Sequence, residues 1–260
     1  MTIQTALAAR KLIREGKLRQ PTCGIAPGYT QANLVILPRA YAFDFLLFCQ
    51  RNPKPCPIIE VLEPGSYEPV LTTPGADIRT DIPLYRIYKK GVQVEETKDI
   101  MQYWNDDMVT FLLGCSFTFE DALIQAGIRL RHIEQGKNIS MYITNLQTVP
   151  AGIFSGPLVV TMRPIHGSLV ARAVQITSRY EATHGAPLHI GQPQTIGICD
   201  LGKPDFGDAV EVKADEIPVF WACGVTSQTA ALKSKPPLMI THAPGYMFIT
   251  DRLDKDLLSP

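Results

Sequence analysis

Two short cysteine-containing turns constrain the fold of this chain more than any other feature of its sequence. They are Gly114-Cys115-Ser116 and Ala222-Cys223-Gly224, and each follows an apolar run and precedes a segment with helical character. A strand that ends in a small-residue turn and opens a helix points backbone N–H groups and the positive end of the helix dipole at the space above the turn. We therefore expect an anionic substrate to bind above these turns.

The thiols of Cys115 and Cys223 are the first candidates for chemistry. A helix N-terminus lowers the pKa of a nearby thiol and makes it a better nucleophile. The alternative is that both sulfurs only pack, because free cysteine is among the most buried residue types. The sequence leaves both interpretations open.

The composition indicates a globular protein whose partner is a small molecule. Its 25 basic and 25 acidic side chains cancel, so no long-range field attracts nucleic acid or an anionic membrane. Six cysteines without a Cys-x-x-Cys spacing indicate neither a disulfide framework nor a zinc site. No apolar run reaches the length of a membrane span, and the N-terminus lacks the apolar core of a secretory signal. We expect a cytoplasmic protein, and the sequence leaves open whether it forms a homo-oligomer.

Alternating strand, turn and helix patterns at both ends of the chain predict an α/β fold. Residues 34–37 are a predicted buried strand, 40–50 a helix, and 84–96 a hairpin around Lys90-Gly91. Between the two ends, β-rich segments and turn residues predominate. We predict a three-layer α/β main domain formed by residues 1–128 and 212–260, with a smaller β-rich α+β domain, residues 129–211, inserted into it.

Arginines in Gly- or Pro-rich turns are candidates for binding an acidic substrate. Arg79 lies two residues from Asp81, and Arg163 follows a β-rich run. Arginine holds a carboxylate through two parallel hydrogen bonds, so either side chain can anchor a substrate carboxylate. The alternative is a structural ion pair in each case.

Histidines in similar turns are candidates for proton transfer. His184 and His189 lie in one Gly- and Pro-rich segment, and His242 follows a predicted strand. Imidazole gains and loses a proton near neutral pH, which suits general acid or base catalysis. Two or three of them can also hold a metal, but their spacing matches no specific metal motif. Nucleotide-binding, hydrolase-elbow and zincin motifs are absent, so we expect neither a cofactor nor a metal.

Eight long segments, in order along the chain, resemble one family. They are TCGIAPGYTQANLVILP (22–38), AFDFLLFCQRNPKPCP (42–57), ADIRTDIPLYRIY (76–88), GCSFTFEDAL (114–123), VVTMRPI (159–165), HGAPLHIG (184–191), VFWACGVTSQ (219–228) and ITHAPGYMFITD (240–251). Together they resemble the hydro-lyase family whose characterised relatives are D-glutamate cyclases. The resemblance implies conversion of D-glutamate to 5-oxo-D-proline with loss of water, and a two-domain α/β fold. The resemblance does not identify the catalytic residues.

Ring closure of glutamate requires a base, an acid and a grip on the α-carboxylate. Because the reaction is intramolecular, the enzyme has no second substrate to capture. His242 or His184 is a candidate base, and Asp81 or Glu120, held protonated, is a candidate acid. Arg79 or Arg163 can bind the α-carboxylate. Contacts to the oxyanion or the substrate can come from Ser116, Gly224 and Thr226. A thioester on Cys115 is an alternative route.

Three other functions remain open at this stage. Cys115 and Cys223 can face each other across an α-carbon, as in a two-cysteine amino-acid racemase or epimerase. A dehydratase of a hydroxy acid also fits the hydro-lyase name. The third alternative is a non-catalytic binding protein for a small acidic metabolite, in which the arginines matter and the histidines and cysteines do not.

Overall fold

The computed structural model describes residues 3–258, and in them the chain forms six α-helices and eleven β-strands. The helices are α1 (Ala6–Arg14), α2 (Arg39–Arg51), α3 (Glu120–Gln125), α4 (Arg131–Glu134), α5 (Val170–Thr177) and α6 (Thr226–Ser234). The strands are β1 (Tyr29–Pro38), β2 (Ile58–Val61), β3 (Tyr85–Lys89), β4 (Val92–Thr97), β5 (Met108–Gly114), β6 (Ser140–Gln147), β7 (Pro157–His166), β8 (His189–Ile190), β9 (Glu216–Ala222), β10 (Met239–His242) and β11 (Phe248–Leu253). The fold is α/β, as the sequence predicts, and its sheets are antiparallel.

Seven strands form the larger sheet, in the order β2-β5-β1-β10-β3-β4, with β11 paired to β1. Alternate residues of β1 point to opposite faces of this sheet, and both faces are buried. Val35 and Leu37 pack with α2 and α6, whereas Leu34 and Ile36 pack with segments 62–82 and 100–104. The predicted hairpin is confirmed by the pairing of β3 with β4.

Four strands form the smaller sheet, in the order β6-β7-β9-β8. The strand β9 pairs with β7 from Val160–Ala222 to His166–Glu216. It therefore belongs to the smaller sheet, although it falls within residues 212–260, which the sequence assigns to the main domain. The domain limits themselves stay a prediction.

Both cysteine turns have the predicted strand, turn and helix arrangement. Cys115 follows β5 of the larger sheet and precedes a 3₁₀ turn, Ser116–Phe119, that leads into α3. Cys223 follows β9 of the smaller sheet and precedes α6. The turns therefore approach each other from two different sheets. Within residues 3–258, no helix combines the length and the apolar character that a membrane crossing requires.

Candidate active site

The two cysteine turns meet at one enclosed cavity. Its polar lining comes from Asn33, Ser116, Thr161, His184, His242 and the thiols of Cys115 and Cys223. Its apolar lining comes from Phe117, Ile139, Met141, Val225 and Met247. None of the described residues that line it is acidic. The cavity volume is about 10 Å³, roughly the room that one water molecule needs, so the described form is closed and a substrate must displace part of the wall.

Burial controls the thiols more strongly than the helix dipole does. Cys115 is 6% exposed and Cys223 is 7% exposed. Removal from water raises the pKa of Cys223 to about 12 and raises the pKa of Cys115 well above its usual range. The expected lowering of these pKa values is therefore wrong, although the backbone N–H of Phe117 does point at the Cys115 sulfur, 3.5 Å away. Both thiols are protonated at neutral pH in this closed form.

His242 lies at the end of β10 and is completely buried. Its Nδ1 faces the backbone of Leu34, 3.1 Å from the N–H nitrogen and 3.4 Å from the carbonyl oxygen. Its other ring nitrogen, Nε2, is buried and has no hydrogen-bond partner among the described residues. Burial lowers the pKa of this imidazole to about 4, so the ring is neutral at pH 7.

His184 reaches the cavity because a loop packs tightly against the first cysteine turn. A Cβ on Gly114 would lie 2.1 Å from the carbonyl oxygen of Ala182, so only glycine allows this approach. His184 itself has a left-handed backbone with φ of 84°. Its Nδ1 lies 2.7 Å from the carbonyl oxygen of Lys54, and burial lowers the pKa of the ring to about 4.

Asn33 connects the two cysteine turns, and the sequence reasoning missed it. Its Nδ2 donates to the carbonyl of Gly114 at 2.6 Å, and a Cβ on Gly224 would lie 2.2 Å from its side chain. The only signal in the sequence is a polar side chain within the apolar strand β1. A buried amide needs hydrogen-bond partners, and here the first turn supplies one.

Arg163 lies behind the cavity wall and is fully buried. Its guanidinium donates to Ser116 Oγ at 3.0 Å and to Thr161 Oγ1 at 3.1 Å, and both hydroxyls belong to the lining. It also donates from Nε to Glu120 at 3.0 Å. Arg163 thus holds the wall in place and is not placed to grip a substrate directly.

Glu120 is not the protonated acid that the sequence suggests. Burial by itself would raise its pKa, but His132 and Arg163 outweigh burial and lower the pKa below the ordinary value. The Nε2 atom of His132 lies 3.0 Å from the Glu120 carboxylate. Glu120 is therefore an ionised partner in a buried network, one layer away from the cavity.

Arg79 and Asp81 lie outside the cavity lining, in the segment that covers the other face of the larger sheet. Arg79 donates to Asp77 through Nε at 2.9 Å and through Nη2 at 2.7 Å. Asp81 accepts two hydrogen bonds from Arg14, at 2.8 and 2.6 Å. Each forms a structural ion pair, which is the alternative interpretation, and the roles in substrate grip and acid catalysis are corrected accordingly.

Thr226 also serves the fold. Its hydroxyl donates to the carbonyl of Cys223 at 2.7 Å and accepts from the N–H of Val159 at 3.0 Å, so it ties α6 to β7. Ser116 and Gly224, in contrast, line the cavity, and their contact with a substrate stays a prediction. Within residues 3–258, no group of three or more His, Cys, Asp or Glu side chains is arranged to hold a metal ion.

Imidazoles, thiols and hydroxyls are the side chains that enzymes use for acid–base and nucleophilic chemistry, and here they converge on one cavity. The family model described as D-glutamate cyclase matches residues 109–251. A protein of Thermoanaerobacter sp. strain X514, named "Putative hydro-lyase", is 66% identical over 96% of this chain and 94% of its own. The hydro-lyase YcsI of Bacillus subtilis strain 168, named in the same way, is 60% identical over 95% of this chain and 96% of its own. The chain belongs to the D-glutamate cyclase family.

The family and the names of these relatives support a hydro-lyase, that is, a carbon–oxygen lyase. Among solved structures, a nitrogen repressor-like protein of Methanococcus jannaschii aligns with 94% of this chain at 10% identity and a TM-score of 0.40. That likeness is too weak to support any conclusion about this fold or its function.

Proposed function

We propose that this protein converts D-glutamate to 5-oxo-D-proline and water in the cavity between the two cysteine turns. The observation that supports the proposal is the set of polar side chains that line this cavity. Two neutral imidazoles, two hydroxyls and the start of α6 surround one closed space, and none of the described lining residues is acidic.

This wall suits an anionic substrate. The nine-residue helix α6 begins at Thr226, and Gly224 and Val225 just before it line the cavity, so its positive dipole end faces the cavity. Arg163 places a buried positive charge behind Ser116 and Thr161. Burial is the larger influence on the pKa of each nearby group: it raises the pKa of Cys115 and Cys223, which the charge of Arg163 partly offsets, and it lowers the pKa of His184, to which the same charge adds. A carboxylate in this space would meet donors and no repelling carboxylate.

The wall also suits a dehydration. Lactam formation moves protons from the amine to a departing carboxyl oxygen, and neutral imidazoles can accept or donate hydrogen bonds at both atoms. Exclusion of bulk water strengthens these hydrogen bonds. The described cavity, at about 10 Å³, has room for about one water molecule and excludes bulk water.

The test is an NMR time course of the purified protein in D₂O, with D-glutamate, L-glutamate and 5-oxo-D-proline supplied separately. We expect the lactam to form from D-glutamate alone, with the α-proton retained. Absence of lactam from D-glutamate at any enzyme concentration would refute the proposal. Release of lactam from L-glutamate at the same rate would refute the stereochemical part of it.

A second candidate is the two-cysteine racemase, and one observation favours it. Cys115 and Cys223 line the same cavity and lie close enough for charge on one to affect the other. Against it, burial holds both thiols protonated, whereas a racemase needs one thiolate. The same time course separates the two functions, because a racemase washes solvent deuterium into the α-position and lactam formation does not.

A further inference from the structure

The protonation pattern of His242 follows from its backbone partner. Nδ1 of His242 lies 3.1 Å from the backbone nitrogen of Leu34 and 3.4 Å from the carbonyl oxygen of the same residue. An N–H group can only donate, and a protonated Nδ1 would leave this buried N–H facing another donor, so the shorter contact favours an unprotonated, accepting Nδ1 on His242. A neutral imidazole carries one proton, which must then be on Nε2. This Nε2 is buried, has no partner among the described residues, and belongs to a side chain that lines the cavity. An unpartnered donor in such a position lacks a hydrogen bond that a ligand oxygen can supply.

His184 has the opposite pattern. A carbonyl oxygen can only accept, so the 2.7 Å contact with Lys54 requires a protonated, donating Nδ1 on His184. In the neutral ring the lone pair is then on Nε2. The main-chain contacts of the two histidines in this cavity therefore favour different tautomers.

We infer that His184 carries protons during turnover and that His242 stays neutral as a fixed hydrogen-bond donor to the reacting carboxyl group. This inference rests on the proposed function for its chemistry and on the two backbone contacts for its assignment. It also corrects the expectation that His242 is a candidate base. Accepting a proton on Nδ1 would break the Leu34 contact, and losing the proton from Nε2 would leave an anionic ring in a buried site.

The proton balance requires only one carrier. His184 Nε2 takes a proton from the substrate ammonium and passes it to the side-chain carboxylate. The free amine then attacks the carboxyl carbon, the C–N bond forms, and the C=O electron pair moves to the oxygen that His242 Nε2–H holds. His184 takes the second proton from nitrogen and gives it to the hydroxyl, the C–O bond breaks, water leaves, and the carbonyl re-forms.

The direct test is ¹⁵N NMR of the intact, ligand-free protein labelled at histidine, at neutral pH. The chain has five histidines, so single His→Gln variants of the other positions assign His184 and His242, by elimination if either of their own variants fails to fold. We expect protonated Nε2 on His242 and protonated Nδ1 on His184. The same tautomer on both rings, or a charged ring at either position, would overturn the inference.

Activity variants test the roles separately. His184→Gln removes the proton carrier and is expected to lower kcat by about 100-fold or more. His242→Ala removes the donor, with a comparable loss of about 100-fold. His242→Gln restores an N–H donor without a titrating group, and we expect it to recover at least about 10-fold of that loss. The control is His189→Gln, because His189 lies on β8 and contacts Gln192.

The outcomes distinguish the two proposals. Equal inactivity of His242→Ala and His242→Gln, with both variants folded, would overturn the donor role. Lactam formation by a protein whose two histidines share one tautomer would overturn the inference and leave the proposed function intact. The inferred tautomers together with no lactam from D-glutamate would overturn the proposed function and the roles that depend on it.

Discussion

The side chain of Asn33 occupies the space where a Cβ on Gly224 would lie, 2.2 Å from that position. The same side chain donates to the carbonyl of Gly114. One amide on β1 thus holds the turn of the larger sheet and fits against the turn of the smaller sheet. The cavity exists because this contact brings the two turns together.

Gly224→Ala is expected to disrupt this contact. The added methyl must displace Asn33, which then loses its bond to Gly114 and leaves buried polar groups unpaired, at a cost of about 1–3 kcal/mol. We expect a lower melting temperature together with a strong loss of activity. Calorimetry and the lactam assay measure the two effects.

Gly167→Ala is the matched control. A Cβ there would meet only ordinary contacts, 3.7 Å from the Asp215 carbonyl oxygen and 3.8 Å from Ile217. We expect wild-type stability and activity from this variant. If Gly224→Ala behaves like Gly167→Ala, the packing of Asn33 against the second turn is not important.

Arg163→Met is expected to destabilise the protein by about 3–5 kcal/mol, because it leaves Glu120 charged and buried beside His132. Adding Glu120→Gln should recover part of that loss, since the uncompensated charge is then removed. Urea unfolding measures both variants. Lys17→Met, at an exposed ion pair with Glu15, is the control and should show no measurable change. Additive losses from Arg163→Met and Glu120→Gln would contradict the coupling.

Stability is expected to fall as the pH is lowered from 6.5 to 5. His184 and His242 have a pKa of about 4 in the folded protein and of about 6.5 in an unfolded chain. In this interval the unfolded state binds more protons, so acid favours unfolding by up to about 1.4 kcal/mol per pH unit for each histidine.

Asp254 acts in the opposite direction. Burial raises its pKa to about 7, so the folded state binds the extra proton there. Urea unfolding across this pH range should therefore show a shallower slope for His242→Gln and a steeper one for Asp254→Asn. Gly167→Ala, which removes no titrating group, should keep the wild-type slope. Identical slopes in all four proteins would contradict the assigned protonation states.

The thiols of the cavity are expected to react slowly with iodoacetamide. Cys199 is exposed and should be alkylated first, whereas Cys115 and Cys223 are buried and protonated and should be modified much more slowly than Cys199. Peptide mass spectrometry gives the order. Cys115→Ser should retain turnover, because the proposed chemistry uses no thiolate. An inactive, folded Cys115→Ser would favour the thioester route.

Arg79→Ala is expected to leave KM unchanged. Its guanidinium pairs with Asp77 and stacks 3.6 Å from the centre of the Tyr67 ring, away from the cavity. Steady-state kinetics against D-glutamate, with Ser116→Ala as the comparison inside the cavity, measures the difference. A large rise in KM for Arg79→Ala would return this residue to the substrate site.

The sequence predicted local elements well where short-range rules decide them. The helix expected at 40–50 is α2, Arg39–Arg51, and it ends at Asn52 just before Pro53. The hairpin around Lys90-Gly91 and both cysteine turns also follow from local patterns. The pairing partners of the strands were harder to predict. The sequence pattern assigns β9 to the main α/β domain, but in the structure it pairs with β7 of the smaller sheet.

The candidate site divides in the same way. Six residues that the composition of the turns singled out line one cavity in the structure: Cys115, Ser116, His184, Cys223, Gly224 and His242. Arg79 and Asp81 had equally suggestive surroundings, but an arginine pairs with whichever carboxylate folding brings nearest. Asn33 carried no motif, since its importance depends on contacts with residues about 80 and 190 positions away, a separation that no local pattern encodes.

The sequence alone determined the family, the α/β class and the two strand, turn and helix units that carry Cys115 and Cys223, because each depends on neighbouring residues. Tertiary structure decided that these units meet, that burial raises the pKa of their thiols, and that the main chain of Leu34 and of Lys54 contacts His242 and His184. Desolvation and main-chain hydrogen bonding depend on what surrounds a side chain, and only the folded chain supplies those surroundings.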